Sequence, residues 1–234
     1  MMDNDRIKEL PASMRPYEKC MLYGAGALSD VELLAVIIKS GTRGCNCVEL
    51  ARDILMSASP EGGVGGLAGL TYGGLCSHKG IGWVKAVQIL SAVELSRRIA
   101  KATAAVGLDF GNPDSIARYY MEDMRHLRQE QLVLVMLDTK LRRIADCVVS
   151  KGTVSSSLVS PREVFIQALQ REAVYICLLH NHPSGDPTPS SEDIAVTRRI
   201  EQLGRLLDVR LIDHIIIGDN TYVSMKNQNI MNGM

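Results

Sequence analysis

The sequence predicts an all-helical module followed by an α/β module whose mixed sheet carries helices on both faces. Three features lead there. Apolar residues before Lys101 recur at helical spacing, short apolar runs beyond Pro113 alternate with amphipathic segments, and Ala102 to Pro113 is small, glycine-containing and suited to a linker. A chain of 234 residues has room for both modules, because single cores commonly divide above about 100 to 150 residues. The helical module is therefore placed at 1–101, the linker at 102–113 and the α/β module at 114–225.

In the first module, after a polar start, Leu28 to Lys39 reads as a helix that Ser29 can cap, with Glu32 three residues on and Leu33, Leu34, Ile37 and Ile38 as its stripe. Gly41 stops it. Cys47 to Met56 repeats the pattern, and the glycine-rich Ser57 to Gly74 reads as a loop or a poorly packed small helix. A turn at Gly80-Ile81-Gly82 leads into a long, well-buried helix from Trp83 to Lys101.

In the second module Asp114 to Leu127 reads as a helix, Gln131 to Leu137 as an apolar strand and Ile144 to Val149 as its neighbour after a turn near Asp138 to Lys140. Pro161 opens a helix to about Gln170, and Val174 to Leu179 is another apolar strand. Ser190 to Leu207 has Val196, Ile200, Leu203 and Leu207 on one face, and Leu211 to Ile217 with Thr221 to Met225 reads as a closing strand pair.

Composition narrows the function classes. Lys plus Arg and Asp plus Glu each total 26 and are spread evenly, so bulk charge neither favours nor excludes a nucleic-acid partner. Six cysteines, Cys20, Cys45, Cys47, Cys76, Cys147 and Cys177, are scattered without a framework, and no basic residue followed by an apolar export segment opens the chain. A reduced, cytoplasmic protein is expected. Apolar runs such as Leu132 to Leu137 are too short to cross a bilayer, so no membrane role is expected.

The chemistry concentrates in one string. His180 and His182 follow an apolar strand, and residues two apart on an extended chain point to the same side, so both imidazoles can reach one ion. Pro183 and Pro187 break regular structure, and Asp193 falls in the first turn of the next helix, where its carboxylate can supply a third ligand. Two imidazoles and a carboxylate suit zinc, and three protein ligands leave a fourth position for water, the catalytic arrangement. Ser190 with Asp193 also fits a capping box. Asp213 and His214 read as strand residues, the histidine half-buried and bonded to backbone, and Cys45 and Cys47 as structural.

The string His180-Asn181-His182-Pro183-Ser184-Gly185-Asp186-Pro187-Thr188-Pro189-Ser190-Ser191-Glu192-Asp193 closely resembles the signature of JAMM (MPN-plus) metalloproteases. Its His-Pro-x-Gly opening, together with Leu28 to Leu34, Val84 to Arg98, Leu137-Asp138-Thr139, Gly152-Thr153, Pro161 to Leu169 and Asp213-His214, more specifically resembles the bacterial RadC (UPF0758) family. The resemblance implies a JAMM/MPN-type mixed sheet flanked by helices, cytidine-deaminase-like in plan, and one zinc per chain on His180, His182 and Asp193. It implies further that Glu130, just before the first strand, is the base that activates water, and that Ser190 steadies the oxygen of the tetrahedral intermediate. Glu122, Glu163 and Glu172 are nearby acids that compete for the base role. The expected activity is zinc-dependent hydrolysis of an amide bond in a protein or peptide substrate, by a metallopeptidase or isopeptidase.

Lys79-Gly80-Ile81-Gly82 followed by Lys85-Ala86 resembles a helix-hairpin-helix motif. Glycines let such a turn approach a phosphate, and backbone N–H groups of the next helix grip it without reading sequence. Weak, sequence-independent DNA binding through Gly80, Gly82 and Lys85 is the corresponding expectation. The alternative function is a DNA-associated repair or recombination protein whose metal domain is accessory or nucleolytic. A metal-stabilised interaction domain without turnover is the third.

Overall fold

The computed structural model describes residue 11 and residues 15–59, 63–152 and 159–231. Residues 60–62 of the glycine-rich stretch and Thr153 lie outside them. The chain divides into two compact units, Met1–Arg98 and Ile99–Met234.

The first unit is helical. Helix α1 (Pro16–Tyr23), absent from the sequence expectation, begins with Pro16 at its first turn, where the missing N–H is harmless. Helix α2 (Asp30–Ile38) has the full capping box: Ser29 accepts from the backbone N–H of Glu32, whose carboxylate accepts from that of Ser29. Asn46 and Glu49 do the same for α3 (Cys47–Ala58). The glycine-rich stretch gives a 3₁₀ turn at Val64–Gly69 and a short α4 (Tyr72–Cys76). Leu34, Ile38, Leu50, Ile54, Leu75 and Ile89 form the buried core of this unit. Helix α5 (Trp83–Ala105) continues past Lys101 through four residues expected to be linker. Alanine at positions 102, 104 and 105 favours helix, and Gly107, at φ 74°, follows its end.

The second unit is a five-stranded sheet in the order β2-β1-β3-β4-β5. Its elements are α6 (Pro113–Met124), β1 (Gln131–Leu137), β2 (Arg143–Lys151), α7 (Pro161–Gln170), β3 (Tyr175–Asn181), α8 (Ser191–Leu206), β4 (Arg210–Ile217) and β5 (Tyr222–Ser224). Strand β1 is antiparallel to β2 and β3, β3 and β4 are parallel through the α8 crossover, and β5 returns antiparallel to β4. The mixed sheet follows from these connections, since hairpins give antiparallel neighbours and only a crossover gives a parallel one.

Alternation along the strands divides the apolar residues between two layers. Leu132, Leu134, Met136, Ile176 and Leu178 face α7 and α8, packing with Val164, Phe165, Val196 and Ile200. Val133, Val135, Leu137, Cys177, Leu179, Ile215 and Ile217 face α6 through Ile116, Tyr119, Tyr120 and Met124. Both layers are buried, which is why β1 and β3 read as unbroken apolar runs.

The loop between β3 and α8 is tied to the β4–β5 turn. The His182 N–H donates to the Ile217 carbonyl at 3.0 Å, and the Asp219 N–H donates to that of Gly185 at 2.9 Å. A Cβ on Gly218 would stand 2.2 Å from the Gly185 oxygen and 2.8 Å from Pro187 Cδ. Gly218→Ala should therefore displace the loop and cost about 1–3 kcal/mol, the usual range for forcing atoms into a packed site. Urea denaturation of the two proteins checks this; equal midpoints would show that the close approach is not held in solution.

Candidate metal centre

Strand parity brings the site together. His180 lies at the end of β3 on the α8 side, opposite Leu132 of β1. Carrying that antiparallel register two residues further sets Glu130 opposite His182. One ligand atom each from Glu130, His180 and His182 lie within 4.8 Å of one another, the metal-capable group found among the described residues. Glu122, Glu163 and Glu172 do not join it. Glu122 instead pairs with Arg125 at 3.0 Å.

Asp193 completes the cluster from α8. Its Oδ1 is 3.1 Å from His180 Nδ1 and its Oδ2 is 3.5 Å from His182 Nε2. The expected capping box is present: Asp193 Oδ2 accepts from the Ser190 N–H at 2.8 Å and from its hydroxyl at 2.6 Å, and Ser190 Oγ accepts from the Asp193 N–H. The box uses one carboxylate oxygen. Asp193 Oδ1 is left buried with no hydrogen bond, as are both ring nitrogens of His180. Buried polar atoms are nearly always partnered, and Asp193 Oδ1 with the His180 Nδ1 that lies 3.1 Å from it form a pair of buried atoms that suits a group accepting only lone pairs. A divalent metal is such a group, and two imidazoles with carboxylate oxygens are a donor set that zinc accepts.

Supporting contacts orient these groups. His182 Nδ1 lies 2.8 Å from the Asp186 carbonyl, which fixes the proton there and leaves Nε2 for the cluster. The fully buried side chain of Asn181 accepts from the Gln131 N–H at 2.8 Å and donates to the Gln129 carbonyl at 3.3 Å, clamping the residues on either side of Glu130. Sequence reasoning misses Asn181 because only the strand pairing shows that its side chain crosses to β1. His214 is also placed differently from expectation. It is fully buried, bonded through Nδ1 to Thr197 Oγ1 at 2.6 Å rather than to backbone, and its ring lies near-parallel to that of His180.

Burial works to raise the Asp193 pKa, but His180, His182 and Ser190 outweigh it and hold the carboxyl well below its usual range. Asp193 in turn raises the His182 pKa against the opposing effect of burial. His214 is depressed to about 3, chiefly by burial and then by its neighbour His180, and so is neutral.

In the helical unit, Gly80 takes φ 98° and a Cβ there would meet Thr42 at 2.8 Å, so the turn does require glycine. Lys85 differs from the phosphate-binding expectation. Its ammonium donates to the carbonyls of Ser40 at 2.6 Å, Gly80 at 2.9 Å and Gly41 at 3.3 Å, so all three protons are engaged within the fold.

A helical module followed by this mixed sheet, with histidines and acids at the end of β3, defines an MPN/JAMM-like protein. The family models agree: residues 110–230 match the RadC-like JAB domain and residues 7–87 the UPF0758 N-terminal domain. A UPF0758 protein of Desulfitobacterium hafniense is 43% identical over 230 residues, covering 98% of this chain and 100% of its own. UPF0758 proteins of Clostridium perfringens and Clostridium botulinum are 42% and 44% identical, over 99% and 97% of this chain and 100% and 99% of theirs. The chain belongs to the RadC/UPF0758 family. Among the described residues, no helix is long and apolar enough to cross a membrane.

Purified protein should carry close to one zinc per chain and His182→Ala far less; equal zinc by elemental analysis would remove the assignment. The sign of the pH dependence differs with loading. Without metal, the depressed Asp193 contributes stability that is complete above its ordinary 3.8 and lost as pH falls. The raised His182 contributes stability that is complete below its ordinary 6.5 and lost as pH rises through its folded value. Metal-free protein should thus gain from this pair most between those limits, whereas zinc should be released on acidification over that range because protons compete for His182. Dialysis at stepped pH followed by melting curves reads both; zinc retained unchanged down to pH of about 4 would contradict the histidine ligation.

Lys85→Met should destabilise the chain by about 1–3 kcal/mol, since three carbonyls lose a charged donor. Chemical denaturation measures it, and an unchanged midpoint would mean that the ammonium is free for other partners.

Proposed function

We propose that this chain is a zinc-dependent hydrolase that cleaves an amide bond, a metallopeptidase or isopeptidase acting on a protein or peptide. The observation that carries the reading is the convergence of buried, unpartnered lone pairs from His180 and Asp193 beside His182, with Glu130 on the same side of the sheet. His180, His182 and Asp193 hold the ion, one per chain. Zinc bound there supplies Lewis acidity, lowering the pKa of a water and polarising a carbonyl.

The residues of the chain handle the protons and the orientation. Glu130 accepts a proton from the attacking water and passes it to the departing amine nitrogen, as a positioned carboxylate can. Asn181 fixes the backbone on both sides of Glu130, so the carboxylate is presented in one place. Ser190 holds Asp193 at the start of α8. In the reaction its hydroxyl leaves Asp193 Oδ2 for the carbonyl oxygen, where a hydrogen bond stabilises developing negative charge. Family membership supports this assignment of roles, and so does the gathering of Glu130, in preference to the other acids, with the two histidines.

Glu130→Gln should abolish hydrolysis while leaving zinc and fold in place. The amide keeps the shape of the acid but cannot accept a proton, so turnover should fall by at least roughly a hundredfold with KM little changed. The metal-loaded variant also serves to trap partners from cells, and a peptide or isopeptide from a captured partner becomes the assay substrate. Metal content, circular dichroism and turnover are then compared across wild type, Glu130→Gln and His182→Ala. Retention of more than about a third of wild-type turnover in Glu130→Gln would pass the base role to another acid.

A further inference from the structure

Away from the metal centre, helices α7 and α8 leave an open groove of about 450 Å³ between them. Each helix crosses the same face of the sheet before entering a strand of the parallel pair, α7 into β3 and α8 into β4, so the two run in the same direction. Arg162, Ile166 and Leu169 line the groove from α7, and Arg199, Leu203 and Leu207 line it from α8. Spacings of three and four residues put each set on one helical face. Phe165 makes the floor, its ring so close to α8 that a Cβ on Gly204 would stand 3.5 Å from its Cζ. The groove therefore has a cationic end at the two arginines and an apolar end about 10–12 Å along it, at 1.5 Å of rise per residue.

Neither end is satisfied within the chain. Among the described residues, Arg162 and Arg199 take part in no ion pair or hydrogen bond, whereas neighbouring Arg205 is held by Glu201 at 2.9 Å. The groove lining includes no carboxylate. At the other end, Leu169 and Leu207 remain 51% and 42% exposed.

These features define what the groove can take. Two free guanidiniums call for carboxylates, and the leucines call for apolar side chains beyond them. A second copy offering the same face would bring arginines and leucines but no acid. A small amphiphile would be left largely in water, whereas small-ligand sites enclose most of their ligand. A polypeptide helix suits both ends: acids and apolar anchors at i, i+4 and i+7 share one face and span about 10 Å, while its other faces stay in solvent.

We propose that the α7–α8 groove is a docking site for a helical segment of a protein partner, with acidic residues at one end of the segment and apolar residues one and two turns away. The acids pair with Arg162 and Arg199, and the apolar residues cover Leu169, Leu203 and Leu207. The site uses no residue of the metal centre, so docking is independent of zinc and of hydrolysis. Arg199 lies only about 9 Å along the α8 axis from Asp193, so the cationic end is the one nearer the metal centre.

Fluorescence anisotropy on the full chain tests this with three labelled, alanine-based helical peptides. The first has two glutamates in its first turn and leucines one and two turns on; the second has lysines for the glutamates, and the third has serines for the leucines. The glutamate–leucine peptide should bind in a salt-sensitive manner, and the other two at least about tenfold more weakly. Arg162→Glu combined with Arg199→Glu should weaken that peptide about tenfold and strengthen the lysine peptide. Leu169→Ser combined with Leu207→Ser should weaken it without favouring the lysine peptide. All four positions are exposed, so the variants should keep the fold, which circular dichroism checks. His182→Ala should bind the peptide as wild type does.

No binding of the glutamate–leucine peptide at up to about 1 mM would overturn the proposal. So would equal binding of the lysine peptide, or equal binding by the arginine-reversed variant. Two further results would give the groove to another occupant and overturn it as well. One is a dimer in sedimentation that the arginine reversal dissociates; the other is decanoate binding more tightly than the peptide with the same dependence on the arginines.

Discussion

Asp193 sits in the first turn of α8 with about 1% of its surface exposed, and a carboxylate so placed is costly unless it is paired and hydrogen-bonded. One oxygen is satisfied by the cap, through Ser190; the other is turned to His180. This division of labour within one side chain ties the start of a helix to the end of a strand. It also explains why the surrounding polar groups are so closely packed. Thr197 anchors the carbonyl of Asp193, the His214 ring contacts Thr197, and Asp213 accepts from the Ser224 hydroxyl and from the backbone N–H groups of His214 and Lys226. Without a neutralising partner for Asp193, that arrangement would enclose an uncompensated charge.

The same interaction accounts for the electrostatics. His182 is drawn towards its protonated form by Asp193 while His214, one layer deeper, is driven towards neutrality by burial. Two histidines on one side of one sheet are thereby given opposite tendencies, one suited to exchanging a proton for a metal and the other to keeping a fixed hydrogen-bond pattern.

Much of this is legible from residue order because it is local. Strands β1 and β3 are unbroken apolar runs, the helix start at Ser190 is a cap followed by its acid, and the histidines and Asp193 fall within one short string. What sequence reasoning cannot reach depends on chain segments far apart. Lys85 reads as a phosphate-binding lysine until the carbonyls of Ser40 and Gly41, more than forty residues earlier, are brought beneath it. Asn181 shows its clamp only when β1 is paired to β3, and His214 finds Thr197 only after the crossover lays β4 beside β3 and under α8. Helix α1 is invisible for another reason: its residues carry little apolar periodicity, and Met21, Leu22 and Tyr23 are left exposed. The end of α5 falls later than expected because small residues suit a linker and a helix equally well until packing decides.

The cluster lies at the carboxyl ends of the parallel pair β3 and β4, where the chain must leave the sheet to enter α8 on one side and β5 on the other. His180 lies at the end of β3, His182 is the first residue after it and Asp193 lies in the first turn of α8, while Glu130 and Ser190 stand immediately before β1 and α8. The seven residues from Pro183 to Pro189 hold no part of it beyond the Asp186 carbonyl, and they form its rim. That rim is braced from outside by the 218–221 turn, through the Asp219 N–H on the Gly185 carbonyl and the close approach of Gly218 to Gly185 and Pro187. Because the Asp186 carbonyl within it orients His182, a disturbance in the turn is passed through the rim to the imidazole.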